Sequence, residues 1–256
     1  MQSEPVPVDS LTLLPYLQVL TYPKVSLRSA KARIRQLHAL GVSEIVFQGH
    51  ARVGRLGILG LGTVGIVVRA RVGGEVFALK IRRTDSNRPD MSAEVKLTRF
   101  VNRLGIGPQV AADSNDFILM KLLEYEEFDS WLRGLKGPGR RMAAKEMVHG
   151  LLNQCRKLDI MGVDHGQLSN LRKHAVVAEG RPWIIDFESA STGRKPKNVT
   201  AAAQYLLIGG RISPLLRRVL GVLSTTKVLE RLSAYKKDMT DYSYSKLLEE
   251  LKLDKP

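Results

Sequence analysis

The chain has 256 residues, enough for one large domain or two small lobes, and its 44% hydrophobic share is ordinary for a packed core. Its single cysteine, Cys155, excludes an internal disulfide and a cysteine-built zinc site, and no apolar run approaches the roughly 20 residues that span a bilayer. The net charge of +15 leaves two readings: attraction to polyanions such as RNA or a ribosome, or a generally charged surface of the kind seen in proteins from hot environments. No aromatic-interleaved RNA motif accompanies the basic residues. The first ten residues hold Glu4, Asp9 and two prolines but no basic n-region, so they do not read as a signal peptide. With the lone cysteine, this reads as a cytoplasmic protein.

Three blocks follow in chain order. Residues 1–50 read as an N-terminal helical accessory segment, with helices over Leu11–Leu20 and Ser26–Leu40 and Gly41 as a stop. Ala30, Ile34, Leu37 and Leu40 fit one helical face. Residues 51–125 read as a small β lobe. Strands are expected at Ile66–Val68 and Val76–Ile81, joined by a Gly73-Gly74 hairpin turn, and again at Phe117–Met120. A helix is expected over Met91–Leu104, capped by Asp90 and stopped by Gly105. Glu124–Glu127 forms an acidic connector, and residues 126–256 read as a mostly helical lobe. There Met147, Leu151, Cys155 and Leu158 share a helix face that ends at Gly162. Glu179-Gly180 turns a second hairpin between Ala175–Val177 and Trp183–Ile185, and Gly209-Gly210 breaks the helices beyond. The expected class is α+β, two-lobed, with an antiparallel β lobe before a larger helical one.

Gly60, Gly62 and Gly65 lie in Gly60-Leu61-Gly62-Thr63-Val64-Gly65, ahead of a strand and not between a strand and a helix. That setting excludes a dinucleotide fingerprint, and no Gly-Lys-Ser/Thr follows to make a Walker A loop. Glycines in a strand–turn–strand setting let backbone N–H groups approach phosphates, and Val67 would then cover an adenine. Lys80 stands at the end of an apolar strand, where a lysine usually points to water. Glu94, however, shares its helix face with Leu97, Val101 and Leu104. A carboxylate on a buried face needs a cation, and Lys80 is the candidate partner. Asp186 leaves the second hairpin at the end where His165–Asn170 enters it, so these oxygens converge as Mg²⁺ requires. His165 is read as a brace for its loop and Cys155 as core.

Assembled in this order, the residues resemble the protein-kinase-like superfamily over about residues 50–220, closest to small atypical Rio-type kinases and a group of archaeal predicted Ser/Thr kinases. Rio-type loops read His-Gly-Asp-Leu-Ser-x-x-Asn; this chain reads His165-Gly166-Gln167-Leu168-Ser169-Asn170-Leu171-Arg172. The resemblance implies ATP in the cleft between lobes, with Met120 to Leu123, Leu122 included, as a hinge against the adenine. It gives Lys80 and Glu94 the phosphates and Asp186 the magnesium. Gln167 replaces the aspartate that accepts the substrate proton. Arg172 replaces the metal-binding asparagine, a role Asn170 could take over. The Asp-Phe-Gly glycine is Glu188 here, and the peptide-docking activation segment is missing. Asp164, just before His165, is a candidate substitute acid–base group. The expected function is MgATP-dependent phosphoryl transfer by an atypical Ser/Thr protein kinase, on itself or another acceptor, or as a slow ATPase. The alternatives are a pseudokinase scaffold on RNA or ribonucleoprotein, and a small-molecule phosphotransferase.

Overall fold

Strand alternation and turn chemistry account for most of what the computed structural model shows over its described residues, 4–222 and 224–253. The chain divides into two compact units: residues up to Asn102 with Pro108–Leu123, and Arg103–Gly107 with the chain from Glu124 onward.

The first unit begins with β1 (Val6–Pro7), a 3₁₀ turn (Val8–Thr12), α1 (Tyr16–Leu20), α2 (Leu27–Ala39) and β2 (Val42–Val46). β3 (Ala51–Val53) and β4 (Leu56–Ile58) form a separate hairpin, and β5 (Gly60–Leu61), β6 (Gly65–Val72) and β7 (Glu75–Arg82) follow. α3 (Ser92–Asn102), β8 (Val110–Asp113) and β9 (Phe117–Lys121) complete the unit. The main sheet is antiparallel throughout, in the order β1-β2-β6-β7-β9-β8, with β5 alongside β6. Gly73 and Gly74 both hold positive φ (56° and 90°), as a type I′ turn between Val72 and Glu75 requires. Because strand side chains alternate, Ile66, Val68, Ala70, Leu79, Ile81, Phe117 and Leu119 enter one core with Leu11, Leu20 and Leu37. The opposite face takes Ile118 and Met120 against Val64, just ahead of β6, and Met91 and Val95 of the α3 region. Burying one such large apolar side chain contributes about 1.5–3 kcal/mol, so a single-residue slip in register would be costly.

The N-terminal segment differs from the expected pair of helices. It adds β1 and β2 to the main sheet, where β-branched Val42, Ile45 and Val46 favour a strand. The helix expected over Leu11–Leu20 is split, since Pro15 lacks an N–H and disfavours the helical conformation at Leu14. The buried face of α2 is Ala30, Arg33 and Leu37, with Ile34 and Leu40 at its margin. Arg33 is buried because its guanidinium is answered: it donates to Leu20 O, Arg82 O and Asp116 Oδ1, while Gln36 donates to Asp116 Oδ2 at 2.8 Å. Burial alone would raise the Asp116 pKa; Arg33, Gln36 and Arg82 together hold it below the usual range.

In the second unit, β10 (Glu126–Glu127), α4 (Phe128–Gly134), α5 (Arg140–Ile160), a 3₁₀ turn (Leu168–Asn170) and α6 (Leu171–His174) lead to β11 (Ala175–Ala178) and β12 (Arg181–Ile184). β10, β11 and β12 make a small antiparallel sheet. Glu179 and Gly180 turn its hairpin with φ of 54° and 71°. α7 (Asn198–Gln204), a π turn (Tyr205–Gly209), α8 (Ser213–Leu220), α9 (Thr225–Asp238) and α10 (Asp241–Glu250) follow. Met147, Leu151, Cys155 and Leu158 are buried on α5, and Gly162 closes that helix in a left-handed conformation, φ 72°. Burial pushes the Cys155 thiol pKa well up, which fits an inert core cysteine.

Candidate functional site

In the first unit, the glycine segment forms the β5–β6 hairpin. Gly60 pairs with Val67 and Leu61 with Ile66, and Gly62 N–H donates to Gly65 O at 2.8 Å. The next step across the sheet sets Val67 opposite Lys80. Lys80 in turn faces Ile118, and Ala78 faces Met120. Val67, Ala78 and Met120 therefore form an apolar shelf on the sheet face that carries Lys80. Ala78 was not singled out in the sequence, since alanine carries no chemical signal of its own. Leu122 follows β9 and is half-buried. A Cβ at Gly65 would lie 3.0 Å from Lys80 Cγ and from Ile81 O, so glycine lets the hairpin close onto that lysine. A Cβ at Gly60 would meet nothing within 4 Å, which leaves room for a ligand to approach the backbone.

Lys80 does not reach water. Its strand runs on to Arg82, and its Nζ donates to Glu94 Oε1 at 2.6 Å, with side-chain exposures of 6% and 4%. Arg88 Nη1 stands 3.8 Å from Glu94 Oε2, a second cation that the sequence did not suggest. α3 positions Glu94. Asp90 accepts the Ser92 N–H at 2.8 Å, and Gly105 is left-handed at φ 76° beyond the helix. The helix is shorter at both ends than the expected Met91–Leu104.

In the second unit, His165 is fully buried. Its N–H donates to Asn198 Oδ1 at 2.9 Å and its Nε2 to Ile185 O at 3.2 Å. The ring meets Phe187 and His174 edge-on, at 5.1 and 5.3 Å. Burial, then His174, depresses the His165 pKa to about 4, so it braces the loop as a neutral ring. The Ile185 bond ties the His165 loop to the residue before Asp186, which is half-buried with φ 65°. A left-handed aspartate stores strain of about 1–3 kcal/mol, a feature that clusters at functional sites. Gln167 keeps Oε1 buried without a hydrogen-bond partner among the described residues, whereas Asn170 is exposed. Arg172 is drawn to Glu127 Oε2 at 3.2 Å. Asp164 is not poised as an acid–base group: its Oδ2 is held by Arg194 Nε at 2.8 Å and its backbone bridges to Ser191.

The sequence reading missed two buried carboxylates, Asp129, which accepts from Tyr205 OH at 3.2 Å, and Asp159. Asp159 Oδ1 accepts from Asn198 N–H at 2.8 Å and from its Nδ2 at 2.7 Å, and Oδ2 accepts from Tyr235 OH at 2.9 Å. Burial raises its pKa despite these donors. Asp159 lies four residues beyond Cys155 on the buried face of α5, the same signal that exposed Glu94.

In the first unit a buried lysine lies under an open glycine hairpin beside an apolar shelf, chemistry that suits a nucleotide phosphate and base. In the second unit Asp186 is an oxygen donor of the kind Mg²⁺ takes besides phosphate, and Asn170 would be the other. Among the described residues, no group of three or more His, Cys, Asp or Glu gathers to hold a metal unaided, and no helix is long and apolar enough to cross a membrane.

The fold is thus α+β with an antiparallel sheet and a mostly helical second unit. No family model matches the chain. It is similar to an uncharacterized protein of Methanocaldococcus jannaschii, 32% identical over 77 residues; the match covers 30% of this chain and 66% of that one.

Proposed function

We propose that this chain is a MgATP-dependent phosphotransferase with a protein-kinase-like fold, acting in the cytoplasm as an atypical Ser/Thr protein kinase or a slow ATPase. The observation that carries the reading is the Lys80–Glu94 pair. A buried ion pair is often no more stable than apolar residues of the same volume, so stability alone does not explain it. Its place under the β5–β6 hairpin does: Lys80 supplies a point charge for phosphates and Glu94 fixes its direction. The hairpin of Gly60, Gly62 and Gly65 covers the same phosphates, with the Gly62 N–H spent on Gly65 O to hold the turn, while Val67, Met120 and Leu122 take the base. Asp186 and Asn170 would hold magnesium, which neutralises charge on the phosphate oxygens when bound. Gln167 orients the acceptor hydroxyl without removing its proton. Phosphoryl transfer depends mainly on positioning and electrostatics, so this substitution slows the reaction and does not abolish it.

The second reading, a nucleotide-binding pseudokinase on RNA, is favoured by Gln167 and by Arg172, which is committed to Glu127. With the charge of +15 it calls for ATP binding without turnover and RNA retention that falls steeply with salt.

The test is incubation with γ-labelled ATP and Mg²⁺ beside Lys80→Met and Asp186→Asn. Label or free phosphate lost in both variants supports the phosphotransferase. Undiminished labelling of Lys80→Met defeats it, and ATP binding without transfer in the wild type selects the pseudokinase.

A further inference from the structure

The second unit contains a pocket of about 500 Å³ whose chemistry the phosphotransfer reading does not use. Gly166, Leu168 and Ser169 form one wall, and α7 and α9 form the others. Two leucines of α9 are in its lining. Leu229 faces it with 43% of its surface exposed, beside the buried Leu232. Its rim is basic. Lys197 and Lys236 line it, both exposed, and neither has an acidic partner among the described residues. Asp164 is the acid in the lining, and Arg194 already answers its charge at 2.8 Å. Two positive charges are therefore left over, with the exposed hydroxyls of Ser169 and Ser233 beside them.

This chemistry selects a ligand class. Lysines act as point charges, and hydroxyls donate single hydrogen bonds; both suit the several acceptor oxygens of a phosphate, whereas carboxylates favour an arginine fork. Helices and a loop build the walls, so an extended peptide would find no strand edge to pair with. The volume falls in the range of small-molecule sites, about 300–1,000 Å³. We infer that the pocket binds a small phosphomonoester, with its phosphate on Lys197 and Lys236 and its apolar body on Leu229 and Leu232. The inference is independent of phosphoryl transfer, because binding is measured without nucleotide.

The experiment is calorimetric titration of the full chain with phenyl phosphate, inorganic phosphate and benzoate. Phenyl phosphate binds tightest, at least about tenfold tighter than either of the others. Lys197→Ala/Lys236→Ala weakens it by about tenfold or more, and Leu229→Asp, at an exposed position, removes it. Lys31→Ala/Arg35→Ala, which deletes two exposed charges of the first unit, leaves it unchanged. So does Lys80→Met. No heat with phenyl phosphate at ~10 mM, equal affinity for benzoate, or an equal loss in the Lys31/Arg35 variant would each overturn the assignment.

Discussion

Replacing Lys80 by Met separates what the buried ion pair does for stability from what it does for a ligand. Lys80 and Glu94 are nearly inaccessible and 2.6 Å apart, so removing one partner leaves a desolvated charge behind. Such single removals cost about 3–5 kcal/mol. Arg88, 3.8 Å from Glu94, softens the loss in Lys80→Met, which places that variant near 3 kcal/mol, the low end of the range. The double variant Lys80→Met/Glu94→Leu replaces the pair with apolar volume and should recover to within about 1.5 kcal/mol of the wild type. Trp131 and Trp183 both lie in the second unit, so tryptophan fluorescence is the wrong probe. Amide exchange of β7 in increasing urea reports on the right strands. ATP binding, followed in parallel, should be lost in the single and the double variant alike. A double variant destabilised by the sum of the singles, about 6–8 kcal/mol, would refute the ion-pair argument. A double variant that still binds ATP normally would refute the ligand role.

Three further outcomes are expected. Gln167→Asp restores a carboxylate to the loop and should raise labelling from γ-labelled ATP by about 10²–10⁴-fold, and an unchanged rate would show that the missing base is not what limits the enzyme. His165 has a pKa of about 4 when folded against an ordinary 6.5, so between those values the unfolded chain takes up a proton that the folded chain refuses. Stability then falls with decreasing pH by up to about 3 kcal/mol, a component that His165→Phe should lack in urea unfolding followed by tryptophan fluorescence; identical pH slopes would contradict it. Gly65→Ala forces a Cβ to 3.0 Å from Ile81 O and should cost about 1–3 kcal/mol, whereas Gly60→Ala, with open space around it, should stay within about 0.5 kcal/mol by thermal melting.

Local chemistry carried much of this protein. The Gly73-Gly74 and Glu179-Gly180 turns, the Asp90–Ser92 hydrogen bond ahead of α3 and the buried face of α5 follow from residues close in the chain, because φ preference, short-range side-chain hydrogen bonding and helical period are local properties. The Lys80–Glu94 pair was also legible, since a carboxylate on an apolar helix face demands a nearby cation. What tertiary structure decided lies at long sequence range. Nothing near Val42 announces that β2 will pair with β6 nearly thirty residues on, and the strand takes its place only when that edge is present. Asp164 could have served chemistry until folding set Arg194 beside it, thirty residues away. The pocket exists only because α7 and α9 pack beside the Gly166–Ser169 stretch, which turns two unremarkable lysines into the rim of one cavity. Sequence fixes which groups are available, and packing chooses which charges are neutralised and which stay open to a ligand.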